Sequence, residues 1–237
     1  MVEVWAGLAD LLLPAGCAGC RARHVPLRHG VCAACAAQLS TLRPRSVRPT
    51  PAPIGLPPCV ALGEYDGALR EMLLSYKERG RHGLARPLGT LLADVVAVAT
   101  GGAPDGVLLI PVPATARAAR TRHGDHLWRL ARHATGSLRR AGWPALLARP
   151  LRALPRPDSA TLDSAGRAAA AAGAFRIRAG RLGALRRAAV GRRVVVLDDI
   201  VTTGATLAAV SALLAGAGVP VDRAALIAAT RRRTGPA

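Results

Sequence analysis

The chain has 237 residues, 51% of them hydrophobic and 20% charged, with a formal net charge of +19. That length fits one ordinary domain plus a small module, and the composition is not that of a disordered chain. No apolar run approaches the ~18–20 residues that span a bilayer, so no membrane span is expected.

The first residues have no positive region ahead of their apolar part, which argues against a secretory leader. A cytoplasmic protein is expected, where structural disulfides are rare. Val4, Trp5, Leu8, Leu11 and Leu12 recur at helical spacing and predict a short amphipathic helix. Next come Cys17, Cys20, Cys32 and Cys35, two C-x-x-C pairs separated by eleven residues. This spacing suits a tetrahedral zinc site with four thiolate ligands better than a redox dithiol. The segment 17–35 offers only Val25, Leu27 and Val31 as sizeable apolar residues. Burying each contributes ~1.5–3 kcal/mol, whereas a structural zinc contributes ~10–16 kcal/mol. His24 and His29 are substitute ligands that four cysteines make unnecessary, and the fifth thiol, Cys59, reads as inert.

Six prolines between Pro44 and Pro58 predict a stiff linker over 44–62, dividing an N-terminal module (1–43) from a main domain (63–230) and a basic tail (231–237). In the main domain Leu69, Met72, Leu73 and Tyr76 share one helical face. Leu84, Leu88, Leu91, Leu92, Val95 and Val96 form a second stripe. "GVLLIPVP" (106–113) reads as a buried strand, 125–141 as a helix, 145–151 as a short strand and 158–172 as a helix. "RRVVVLDD" is a strand, "ATLAAVSALLAGAG" a helix and "VDRAALIAAT" a further strand. Apolar strands alternating with helices predict an α/β domain, doubly wound around a mainly parallel sheet.

The motif "VVVLDDIVTTGATL" (194–207) is the most informative stretch. Its loop, Thr202, Thr203, Gly204, Ala205 and Thr206, joins a strand to a helix. Unpaired first-turn N–H groups and the helix dipole there favour a phosphate. The threonines add hydroxyls, and Gly204 permits close approach. Asp198 and Asp199 would face opposite ways in a regular strand, but at a turning strand end both could reach one ligand, a vicinal diol or a divalent cation. A nucleotide hydrolase reading fails, because G-x-x-x-x-G-K-[ST] is absent. Lys77 is the sole lysine of a chain whose 33 basic residues are otherwise arginine. A compact charge kept at that point suggests a role at the site.

The motif resembles the phosphoribosyl pyrophosphate signature of type I phosphoribosyltransferases along its whole length. The full layout is similar to the ComF family, which joins a four-cysteine zinc module to such a domain. "YDGALREMLLSYKERG", "IPVP" and "GAF" (173–175) match as well. The resemblance implies that Asp198 and Asp199 contact ribose hydroxyls and that Thr202–Thr206 hold the 5-phosphate. It places Pro111, Val112 and Pro113 at the pyrophosphate, with magnesium bridging. Lys77 and Arg122 are the cations to watch. Where the family carries Arg-Gly-Phe-Asn-Gln, this chain has Arg122-His123-Gly124-Asp125-His126. The family's late Arg-x-x-Asn keeps only Arg167. His123, His126 and His133 are expected at the surface or behind the contacting groups rather than on a metal. The implied activity is transfer of phosphoribose to a nitrogenous acceptor. The alternative is a non-catalytic phosphoribosyl pyrophosphate-binding protein of DNA uptake (competence) that contacts single-stranded DNA or a helicase. Few aromatics are available for base stacking, so any DNA binding is expected to be weak and salt-dependent.

Overall fold

A computed structural model describes residues 16–102, 106–115, 119–120, 124–154 and 173–230. The expected N-terminal helix, Arg122, His123, the 158–172 helix with Arg167, and the basic tail lie outside them.

A hairpin opens the described chain, β1 (Leu27–Arg28) pairing antiparallel with β2 (Val31–Cys32). His29 (φ 53°) and Gly30 (φ 80°) connect the two strands. Two consecutive positive φ values give a turn whose twist matches that of the strands. Helix α1 (Ala33–Ser40) follows at once, with Cys32 as its N-cap residue.

The main sheet contains β3 (Arg45–Val47), β4 (Cys59–Glu64), β5 (Val107–Pro111), β6 (Ala145–Leu147), β9 (Arg193–Val201) and β10 (Arg223–Ala229), in the order β3-β4-β10-β9-β5-β6. Only the edge strand β3 runs antiparallel to its neighbour. The stretch read as a linker therefore supplies two strands of this sheet. The prolines fall outside both strands, Pro44 just ahead of β3 and the other five in the connection 48–58, so composition there marks a loop and not a domain boundary. The 145–151 segment is also divided. β6 ends at Leu147, and beyond Pro150 the strand β7 (Leu151–Ala153) pairs with β8 (Phe175–Ile177) in a separate ribbon.

The helices are α2 (Gly67–Glu78), α3 (Ala85–Ala99), α4 (His126–Arg140), α5 (Leu182–Ala189) and α6 (Ala205–Gly216). Both predicted apolar stripes are core. Leu69, Met72, Leu73 and Tyr76 of α2 are buried, as are Leu88, Leu92, Val95 and Val96 of α3. α3 packs closely on α4 because residue 89 is glycine. A Cβ there would sit 2.5 Å from the His133 Cβ. None of the helices among the described residues is long and apolar enough to cross a membrane.

The connections fix where a ligand can sit. From β5 the chain crosses through α4 to β6 on one side, and from β9 it crosses through α6 to β10 on the other. Right-handed crossovers in opposite directions put α4 and α6 on opposite faces. The adjacent strands β5 and β9 therefore flank a topological switch point, where a crevice opens beyond the carboxyl ends of the strands.

Candidate active site at the switch point

Two predicted segments meet at this crevice. Pro111 lies opposite Leu197 in the register, and Val112 N–H donates to the Leu197 carbonyl at 2.9 Å. The Pro111-Val112-Pro113 segment thus runs beside the acidic pair. Lys77 joins them from α2, its Nζ 2.9 Å from Asp199 Oδ2. α2 is held by Tyr76, whose buried hydroxyl donates to the His126 carbonyl at 2.6 Å. Adjacent residues of one helix therefore anchor α4 and deliver the ammonium.

His126 is the participant that sequence reasoning left behind the site. It is 7% exposed, and its Nε2 stands 2.8 Å from Asp199 Oδ2. An ionised carboxylate only accepts, so Nε2 carries the proton. Asp125 caps α4 by accepting from the Trp128 N–H at 3.0 Å, and Arg149 donates to its other oxygen at 2.9 Å. The cap sets the helix start, and the helix start aims the imidazole. The only sequence signal was an Asp-His pair opening a helix after the Pro111 turn. His126 Nδ1 is buried without a hydrogen-bond partner among the described residues.

The acidic pair is not at a turning strand end. β9 runs on to Val201, so Asp198 and Asp199 keep strand alternation and point to opposite faces. Their environments diverge accordingly. Burial would raise Asp199, but His126 and the Lys77 ammonium outweigh it and hold the carboxyl down at about 2. Asp198 is pushed up to about 8 by burial and by the charge of Asp199, which the Asp199 N–H bond to Asp198 Oδ1 and Lys77 only partly offset. Near neutral pH one acid is a fixed anion and the other holds a proton.

The loop after β9 has the predicted form. Thr202 and Thr203 are exposed, and Gly204 is the N-cap residue of α6 with φ 78°. The Ala205 N–H has only a long contact, 3.4 Å, to Thr203 Oγ1. First-turn amides are thus presented at the helix start. The proline-rich connection covers the loop from behind. A Cβ on Gly204 would lie 2.9 Å from Leu56 Cδ1 and 3.5 Å from Pro49 Cγ. Gly204→Ala is expected to cost about 1–3 kcal/mol through left-handed strain and displacement of Leu56. Urea unfolding would measure it.

The four cysteines form a separate centre. Their Sγ atoms all lie within 4.8 Å of one another, and the five cysteines are free thiols. A tetrahedron with Zn–S arms of about 2.3 Å has edges of about 3.8 Å, and Cys20 Sγ lies 3.8 Å from Cys32 Sγ. Cys17 Sγ also accepts N–H bonds from Cys32 at 3.2 Å and Gly19 at 3.4 Å. Although burial opposes it, the backbone N–H of Cys20, with those of Cys32 and Gly19, brings the Cys17 thiol down to about 6. A Cβ on Gly19 would sit 2.8 Å from Cys35 Sγ, so the first knuckle needs glycine there. The geometry fits a tetrathiolate metal centre. Cys59 lies apart, buried and donating to the Pro57 carbonyl at 3.2 Å, and burial raises its pKa to about 11.

The chain is thus an α/β protein with a mixed sheet and a small N-terminal cysteine cluster able to coordinate a metal. No protein-family model matches it, and a search of curated proteins finds no relative.

Proposed function

We propose that the switch-point crevice binds phosphoribosyl pyrophosphate with magnesium and transfers phosphoribose to a nitrogenous acceptor, releasing pyrophosphate. One observation carries this reading. An anionic Asp199, held by Lys77 and His126, stands on the strand that leads directly into a glycine loop opening a helix. A carboxylate acceptor and a phosphate cup on consecutive segments suit a sugar phosphate.

In this reading the α6 amides and Thr202, Thr203 and Thr206 hold the 5-phosphate, Asp199 faces the ribose hydroxyls, and Asp198, on the other face of β9, acts through its charge coupling to Asp199. Asp199 Oδ2 already receives two donors, which leaves Oδ1 for the sugar. Lys77 then serves to keep Asp199 ionised and fixed, a narrower role than that of a free cation at the leaving group. The turn Pro111–Pro113 lies where the pyrophosphate would rest, and Arg122 remains the candidate cation for it. As the bond from the anomeric carbon to the pyrophosphate oxygen breaks, the acceptor nitrogen bonds to that carbon, and the electron pair leaves on pyrophosphate. Magnesium supplies charge stabilisation to the leaving group. The protein's share is orientation and a fixed electrostatic field.

Asp198 makes the reading testable. Binding of a magnesium-loaded ligand should expel its proton, so at pH 7 the binding enthalpy should vary with the ionisation enthalpy of the buffer. Asp198→Asn should abolish that dependence. The same substitution should stabilise the unliganded protein by about 1–3 kcal/mol at pH 7. The folded chain keeps a proton there that the unfolded chain has lost, at ~1.4 kcal/mol per pH unit. The sign follows from the raised folded pKa: the carboxyl favours folding fully below about pH 4, and that contribution is lost as pH rises toward about 8. Pyrophosphate release with magnesium, the activated sugar and candidate bases tests catalysis directly. Binding without release for any acceptor would support the competence-accessory reading.

A further inference from the structure

On the face of α2 turned away from Lys77 lies a second cavity of about 290 Å³, at the small end of ligand-sized pockets. Arg21 and Arg23 line it from the cysteine module, and Ser75, Arg79 and Arg81 line it from α2 and the turn that follows. Glu71, Ser75 and Arg79 are spaced by four and share one helical face.

Three of the four guanidinium groups are held in place. Arg81 donates to the Gly16 carbonyl at 2.6 Å and to the Gly30 carbonyl at 3.3 Å. Arg79 reaches Ser75 Oγ at 3.1 Å and Glu71 at 3.2 Å. Arg21 reaches Glu71 Oε2 from two nitrogens, at 2.6 and 2.9 Å. Ser75 Oγ in turn donates to the Ala18 carbonyl at 3.2 Å, tying helix to module. Each guanidinium has five N–H donors, so these bonds leave donors over. Among the described residues none is seen to hydrogen-bond to the Arg23 side chain. Four cations thus meet a single carboxylate, and even the residual charge of a zinc tetrathiolate beside them leaves the cleft positive.

We propose that this cleft is a second anion site, which binds a small phosphorylated ligand through its phosphomonoester or diphosphate group. Planar guanidinium forks match phosphate oxygens two at a time, and forks already anchored lose little freedom on binding. The cavity bridges the module and α2, so an occupant would clamp the two together. The site stands on residues outside the switch-point crevice and does not depend on its chemistry.

The probe is pyrophosphate, titrated calorimetrically into the zinc-loaded full chain without magnesium. Arg23→Ala with Arg79→Ala should weaken binding at least tenfold, with zinc content unchanged. Thr203→Ala, at an exposed position of the switch-point loop, should leave it within twofold. Arg23→Glu alone, which breaks no bond seen among the described residues, should also weaken binding at least tenfold and guards against misfolding of the double variant. Wild-type affinity in both arginine variants would overturn the proposal. So would binding of a single-stranded oligonucleotide that depends on Arg23 and that pyrophosphate does not displace.

Discussion

Asp199→Asn is expected to destabilise the protein by about 3–5 kcal/mol and to abolish binding of the activated sugar at the switch-point crevice. Asp199 Oδ2 accepts from Lys77 Nζ at 2.9 Å and His126 Nε2 at 2.8 Å, and the Lys77 and Asp199 side chains are 16% and 9% exposed. Removing the anion leaves a nearly buried ammonium without its partner, and breaking a buried pair from one side costs about that much. An apolar replacement of both should recover part of the loss, so Lys77→Met with Asp199→Leu should be more stable than Asp199→Asn alone. A double-mutant cycle by urea unfolding gives the coupling. The pH dependence has a definite sign. The folded pKa of Asp199, about 2, lies below its unfolded value of about 3.9, so its contribution is present above about pH 4 and is lost as pH falls toward 2. Asp199→Asn should lack that acid limb.

The second large effect concerns the metal. Chelation, or Cys32→Ala, should remove one zinc per chain and unfold the N-terminal module while the sheet persists. Among its described residues the module buries little besides Ala18, Val31, Leu39 and three of its four thiols, Cys17, Cys32 and Cys35. A structural zinc supplies about 10–16 kcal/mol of binding energy that becomes folding energy, more than such a core provides. Hydrogen exchange should show protection lost across β1, β2 and α1 and retained in β9 and β10. The last two are central strands with neighbours on both sides. Uniform loss across both regions would mean that the module and the sheet fold as one unit.

The buried strands, the helical stripes and the two C-x-x-C pairs were legible because each is a local pattern. β5 and β9 are short apolar runs, and Leu69, Met72, Leu73 and Tyr76 recur at one spacing. The glycine loop was legible because Gly204 sits among hydroxyl residues between a strand and a helix. Lys77 was visible as the sole lysine, although nothing local said that it would find Asp199, from which it is separated by 122 positions. His126 was left open between the surface and a place behind the contacting groups, because its partner is set by the crossing of α4 over β9, a tertiary fact. The proline-rich connection was misread for a related reason. Prolines in a row look the same whether they separate domains or lead into an edge strand, and only the pairing of Arg45–Val47 with Cys59–Ala61 distinguishes them. The arginine cleft was hidden by composition, since arginine is common throughout the chain and only packing shows which of them converge.

The most direct test of the central claim is calorimetric titration of phosphoribosyl pyrophosphate into the zinc-loaded protein with magnesium, beside the same titration of Asp199→Asn. One site per chain beyond the arginine cleft, lost in the variant and accompanied by proton release near neutral pH, is the predicted result. No heat in the wild type, or equal binding by the variant, would contradict the assignment of the β9 acids and the Gly204 loop to a sugar phosphate.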